Sequence, residues 1–269
     1  MANLIRSARS SSDWTLYDLL AYNITVVPLA PEQFFPQNPG PLLEALDPSL
    51  LNSSLDDNNF SDPNISDAIF EYLGYLGLAT DPTQECSMDT FARETLHILG
   101  FNKRLLLTMH HSIPLFICGN VHQVAQTDVC LLDLQSTVLL VLQGDKSAFN
   151  ECEPEPGVIA GAIAAYQNNN QRRLLRALPP LDAMTIPCIT MVGTRPTFYL
   201  VPVTKALSTA VETGQYPETQ TTVMQCVTSL RDNHSLSEGM ETPEYRRIAF
   251  ERFLAFKALA KEHWQTFIV

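Results

Sequence analysis

The stretch from residue 113 to 143, IPLFICGNVHQVAQTDVCLLDLQSTVLLVLQ, constrains the fold more than any other part of the chain. It holds three strand-like segments, Ile113–Cys118, Thr127–Leu132 and Thr137–Gln143. The last two are rich in Val and Leu and almost continuously apolar, as strands covered on both faces are. Covering two faces needs helices, and the flanking sequence supplies them. SMDTFARETLHILGF (87–101) sets Phe91, Leu96, Ile98 and Leu99 behind a Ser/Asp start and ahead of a Gly100 stop. Beyond Pro154 and Pro156, VIAGAIAAYQNNNQRRLLRAL reads as an Ala-rich helix of about 20 residues. ITMVG (189–193) and FYLVPV (198–203) form a further strand pair, Lys205–Thr213 a helix stopped by Gly214, and Pro243–Phe267 a long last helix. The expected fold class is therefore α/β, a mixed β-sheet sandwiched by helices.

The flanks read differently. Residues 1–86 are Pro-rich and irregular, with NSSLDDNNFSDPNISD in the middle, and suggest a loop-rich arm with short helices at Asp13–Tyr22, Pro41–Ala45 and Ser66–Leu76. Residues 87–218 form the expected core, and 219–269 a helical extension packing on it. Residues Phe250, Phe253 and Phe256 make an apolar stripe on the last helix that serves either the core or a homo-oligomer contact.

Charge and cysteines narrow the function classes. Seventeen Lys and Arg stand against 29 Asp and Glu, a net charge of −12, so a polyanion partner needs a local basic patch or a metal. The densest basic cluster of the core is Arg172-Arg173 with Arg176, equally explained by complementing a helix C-terminus. Six scattered cysteines without CxxC spacing read as buried free thiols. The start lacks a secretory h-region and no run reaches the length of a membrane span, so an intracellular chain (cytoplasm or nucleus), with no membrane partner, is expected. Neither a G-x-S-x-G elbow, a P-loop, a G-x-G-x-x-G after a strand nor H-E-x-x-H is present. Glu94-x-x-His97 and the His110-His111 pair hint at a transition metal, but a di-iron bundle needs two such helical motifs.

The order helix-strand-strand-strand-helix-strand, an Asp at the head of the second strand and an acid-x-Lys position at the end of the third resemble the PD-(D/E)XK nuclease superfamily. Residues 87–218, from IPLFICG through LVLQGDK to ETGQYP, are similar to a group of basidiomycete fungal proteins carrying such a domain. The resemblance implies a restriction-endonuclease-like core and a metal-dependent phosphodiesterase, a hydrolase using Mg²⁺ or Mn²⁺ on nucleic acid. It makes Asp128 the central metal ligand, Lys146 the lysine that orients water or steadies the transition state, and Gln167 a polar group facing the site. Glu94 becomes an outer carboxylate, directly or through water, while His122, Gln126 and Gln143 line the mouth and Arg172 and Arg173 meet a phosphate backbone. The departure is Gly144, which stands where the family carries an acid. Gln143 and Asp145 flank that gap and, in a regular strand, point to the opposite face. Either a bulge at Gly144 turns Asp145 into the metal site, or the chain is a catalytically degenerate binding or assembly module.

Overall fold

The structure is a computed structural model that describes residues 6–35, 40–55, 65–81, 87–145, 154–229, 239–265 and 267. After a 3-10 turn at Ser11–Asp13, the elements are α1 (Leu16–Ala21), β1 (Ile24–Pro28), α2 (Pro31–Phe34), α3 (Gly40–Glu44), α4 (Pro48–Asn52), α5 (Asp67–Thr80), α6 (Ser87–Ile98), β2 (Leu106–Ile117), β3 (Asn120–Leu132) and β4 (Val138–Asp145). They continue with α7 (Glu155–Leu175), β5 (Ala183–Val192), β6 (Arg195–Thr204), α8 (Lys205–Thr213), β7 (Thr221–Val227) and α9 (Pro243–Trp264).

The seven strands form one mixed sheet in the order β1-β7-β6-β5-β4-β3-β2. Strands β2, β3 and β4 pair antiparallel in succession, and α7 carries the chain across to β5, parallel to β4. The α/β class and the run of helix, three strands, helix and strand over 87–192 are thus present. The sheet also takes strands from both flanks: β1 lies in the Pro-rich arm and β7 precedes the last helix, and the two pair parallel. Both are short and carry polar residues, so neither stands out by apolarity.

Two cores separate the layers. On one face α5, α6 and α9 pack Tyr72, Leu76, Phe91, Leu96, Phe250, Phe253 and Phe256 against Val129, Leu140, Leu142 and Phe198 of the sheet. The aromatic stripe on α9 is consumed here, since all three rings are fully buried. On the other face α7 lays Ile159, Ala162, Ile163 and Tyr166 over Cys130, Val141, Ile186 and Cys188. Small residues permit this approach: a Cβ on Gly161 would lie 3.2 Å from Cγ1 of Val141. The described cysteines, Cys118, Cys130, Cys188 and Cys226, are free thiols, and burial pushes Cys130 up to about 12 and Cys226 up to about 11.

The β2–β3 hairpin is longer than its apolar segments, because its outer halves are polar edge and turn residues. It closes through Cys118 (φ 51°) and Gly119 (φ 74°), the paired left-handed conformations of a two-residue hairpin loop. Asp128 therefore sits inside β3 and not at its head. The two strands also change face partway along. Leu107, Val129 and Leu131 belong with the α6/α9 core, whereas Ile113, Leu115, Ile117 and Ala125 belong with the α7 core. Strict alternation would keep all these odd-numbered positions on one side. The change falls between the pairs Met109↔Val129 and His111↔Thr127, where His110 and Asp128 lie opposite one another and His110 has a φ of 50°.

The amide run of α7 holds the irregular points of the sheet. The β2–β3 register shifts between Leu115 and Ile117, skipping Phe116. Gln167 accepts from the Phe116 N–H at 2.9 Å and donates to its carbonyl at 3.1 Å. The β3–β4 register shifts at Leu131/Leu132, and there Asn169 accepts from Val138 N–H at 2.8 Å and donates to its carbonyl at 2.9 Å. Asn170 does the same for Leu181, at 2.7 and 3.2 Å. Trp264 reaches the same β4 irregularity from the other layer, donating Nε1–H to the Leu139 carbonyl at 2.8 Å. Buried backbone groups that a bulge takes out of the ladder need such partners.

Candidate metal centre

Near the open end of β4, three elements bring metal-binding side chains together. Asp89 comes from the first turn of α6, His110 from β2 and Asp128 from β3, and one ligand atom of each lies within 4.8 Å of the others. Asp89 is buried, Asp128 half-buried, and His110 is exposed at the outer side. His110 Nδ1 lies 3.9 Å from Asp89 Oδ2. Asp128 is fixed from the third strand: the Gly144 N–H donates to its Oδ2 at 2.7 Å. A Cβ on Gly144 would lie 3.6 Å from both Asp128 Oδ2 and Asp89 Oδ1, an ordinary contact distance. Position 144 thus faces the carboxylates, and its missing side chain leaves room where the resemblance expects an acid.

Of the residues named from sequence, the structure brings Asp128 and the position of Gly144 to this centre. Lys146 lies outside the described residues, and so does the side chain of Asp145, whose backbone ends β4 opposite Val192. Glu94 is turned away: five residues from Asp89 is about 140° around a helix, and Glu94 pairs with Arg93 and with His97 Nδ1 at 3.3 Å. Gln143 faces the α7 layer, its amide 3.0 Å from where a Cβ of Gly157 would stand. Gln167 also belongs to that layer and is spent on Phe116. His122 is near the hairpin tip, about 20 Å along the strand from Asp128, and its N–H donates to Asn120 Oδ1. Gln126 is exposed opposite Ser112.

The arginines close loops. Arg173 Nε donates to the Pro179 carbonyl at 2.8 Å, and Arg176 donates to the Gln135 carbonyl and side-chain oxygen at 2.6 and 2.5 Å. Arg172 lies near enough to His111 that, with burial acting first, it holds that imidazole below its usual range. Arg173 and Arg176 are thereby committed to loop carbonyls.

Asp89 and His110 are the members that sequence reasoning missed. An acid in a first helical turn reads as complementing the helix dipole, which hides Asp89. His110 was visible as a transition-metal hint, but its partners lie 21 residues before and 18 after it.

A separate cleft of about 490 Å³ lies between α7, α8 and the hairpin turn, lined by Phe116, Asn120, Tyr166, Gln167, Lys205 and Glu212. It belongs to the α7 side of the sheet, away from the carboxylates, and its inner amides are the ones already committed to backbone. No helix among the described residues is long and apolar enough to cross a membrane.

Compared with known protein families and with curated proteins, the chain matches none.

Proposed function

We propose that the chain is a metal-dependent phosphodiesterase of the nuclease-like type, with Asp89 and Asp128 as its carboxylates. The observation that carries this reading is their convergence from α6 and β3 beside the end of β4, within the element order α6-β2-β3-β4-α7-β5. Hard divalent cations take carboxylate oxygens, and a buried carboxylate such as Asp89 gains from a neighbouring positive charge. A cation held there supplies charge against a phosphate oxygen and makes water more acidic. The chain's own part is positional: the Gly144 N–H sets the orientation of Asp128, α6 fixes Asp89 from below, and the exposed His110 leaves an approach from solvent. Lys146, one residue past the described end of β4, supplies a cation for the negative charge that grows in phosphodiester hydrolysis. With a net charge of −12, the metal is also what allows a nucleic acid to approach.

A second reading, a catalytically degenerate binding or assembly module, is favoured by Gly144, which offers Asp128 a backbone N–H where a third carboxylate is expected. One experiment separates the two: cleavage of labelled single- and double-stranded DNA and RNA with Mg²⁺ or Mn²⁺, by the wild type, Asp128→Ala and Gly144→Glu. Cleavage abolished by Asp128→Ala supports the phosphodiesterase. A silent wild type and an active Gly144→Glu variant supports the module. Cleavage that survives Asp128→Ala sinks the phosphodiesterase assignment.

A further inference from the structure

We propose that His110 supplies the third ligand that Gly144 cannot, so that the centre selects first-row transition cations such as Mn²⁺, Co²⁺ and Zn²⁺ over Mg²⁺. This rests on the metal-site reading above and adds the ligand and the class of ion. The face change of the hairpin is what makes it possible. In an unbroken β2 the residue opposite Asp128 would follow the alternation of its neighbours; at the switch it takes a left-handed φ of 50°, and its Nδ1 stands 3.9 Å from Asp89 Oδ2. The neighbouring His111 lies on the other side of the switch, where burial and Arg172 of α7 act on it. Two adjacent imidazoles are therefore divided between two layers, and only one joins the carboxylates.

The ligand chemistry follows. A centre of oxygen donors alone suits Mg²⁺, which keeps a strict octahedral oxygen shell; an imidazole nitrogen among the donors shifts preference towards transition cations. Two carboxylates and one imidazole fill only part of a coordination sphere and leave positions for water or substrate on the exposed side of His110. The competing account, a plain His110–Asp89 ion pair, needs no metal and makes opposite predictions.

The test uses the metal-stripped full chain titrated calorimetrically with MgCl₂, MnCl₂ and ZnCl₂, together with the visible absorption of added Co²⁺. The expected result is one site per chain that binds Mn²⁺ or Zn²⁺ at least about tenfold more tightly than Mg²⁺. His110→Gln should lose at least about tenfold in Zn²⁺ affinity and change the Co²⁺ spectrum, while Mg²⁺ affinity hardly moves. His111→Gln should leave the titration unchanged, and Asp128→Asn should remove the site for every cation. Unfolding curves of each variant establish that it is folded. If Mg²⁺ binds as tightly as Zn²⁺ and His110→Gln changes nothing, the histidine ligand is wrong while the cation site stands. If Zn²⁺ binding survives Asp128→Asn, or no cation binds the wild type, this inference and the metal-site reading fail together.

Discussion

Gln167 holds the peptide group of Phe116 from both ends, accepting from its N–H at 2.9 Å and donating to its carbonyl at 3.1 Å. A residue that resemblance assigns to catalysis is thereby a structural clamp on a bulged strand. Gln167→Ala should cost about 1–3 kcal/mol in a urea unfolding series, since it leaves a buried backbone group without its partner. Asn169→Ala should cost a similar amount at Val138. Neither should alter Mn²⁺ or Zn²⁺ affinity; a Gln167→Ala protein of normal stability with lost metal binding would return this residue to the site.

Gly144 lies in ordinary strand conformation with space beside it, and this allows a two-part test. Gly144→Ala should be neutral or stabilising by up to about 1 kcal/mol, because the added methyl makes only ordinary contacts and the unfolded chain loses freedom. Gly144→Glu directs a third carboxylate towards Asp89 and Asp128. In chelator-treated protein at neutral pH it should destabilise by on the order of 1–3 kcal/mol, and added Mg²⁺ should recover the loss. A Tm indifferent to Mg²⁺ would show that position 144 does not address a cation site.

Arg246 is fully buried and donates to the carbonyls of Met240, Leu50, Ser53 and Glu241 at 2.8 to 3.2 Å. It ties the turn after α4 to the start of α9, so the Pro-rich arm is fastened to the last helix. Arg246→Ala should cost about 3 kcal/mol or more by leaving several buried carbonyls without donors. Limited proteolysis should then open the chain near residues 50–55 ahead of the sheet. Simultaneous cleavage throughout would mean that the arm has no separate hold on this residue.

Lys257 donates to the Leu99 carbonyl at 2.6 Å at the end of α6, and burial, with Lys261 and Lys103 adding to it, lowers its pKa to about 8. Between about pH 8 and its usual value the unfolded chain holds a proton that the folded chain has released, so this residue's contribution to stability rises with pH. Lys257→Met should therefore gain most relative to wild type below pH 8, with the gap closing as pH rises. Comparing the two proteins cancels the buried tyrosines and thiols that titrate in the same range. A gap independent of pH would place the Lys257 pKa at its ordinary value.

The sequence carried much of this architecture because apolar period and helix punctuation are local signals. The helix at Lys205–Thr213 ends at Gly214 as its sequence says, with φ 68°, and the Ala-rich helix stands where its pattern puts it, while β5 begins six residues before the apolar run at 189–193. What stayed hidden depends on pairing. Strand β1 is recognisable only beside β7, and the outer halves of β2 and β3 alternate polar residues that read as loop until the hairpin is closed. The candidate site was legible in one of its three members. Asp128 stands in an apolar run that makes a carboxylate conspicuous, whereas Asp89 is the acid of a helix's first turn, where the helix dipole already accounts for it. His110 acquires a role only through a left-handed φ that no spacing rule announces.

The face change at His110 and Asp128 is a one-residue excess carried in step by both strands. Leu107 and Ile113 are six residues apart, and Ala125 and Val129 four, yet each pair is split between the two cores; with one residue fewer on each strand, simple alternation would put Ile113, Leu115 and Ala125 in the same α7 core they occupy now. The two positions therefore form one indel unit: losing one alone would leave its partner as a bulge, whereas losing both would keep the two cores and remove only the centre.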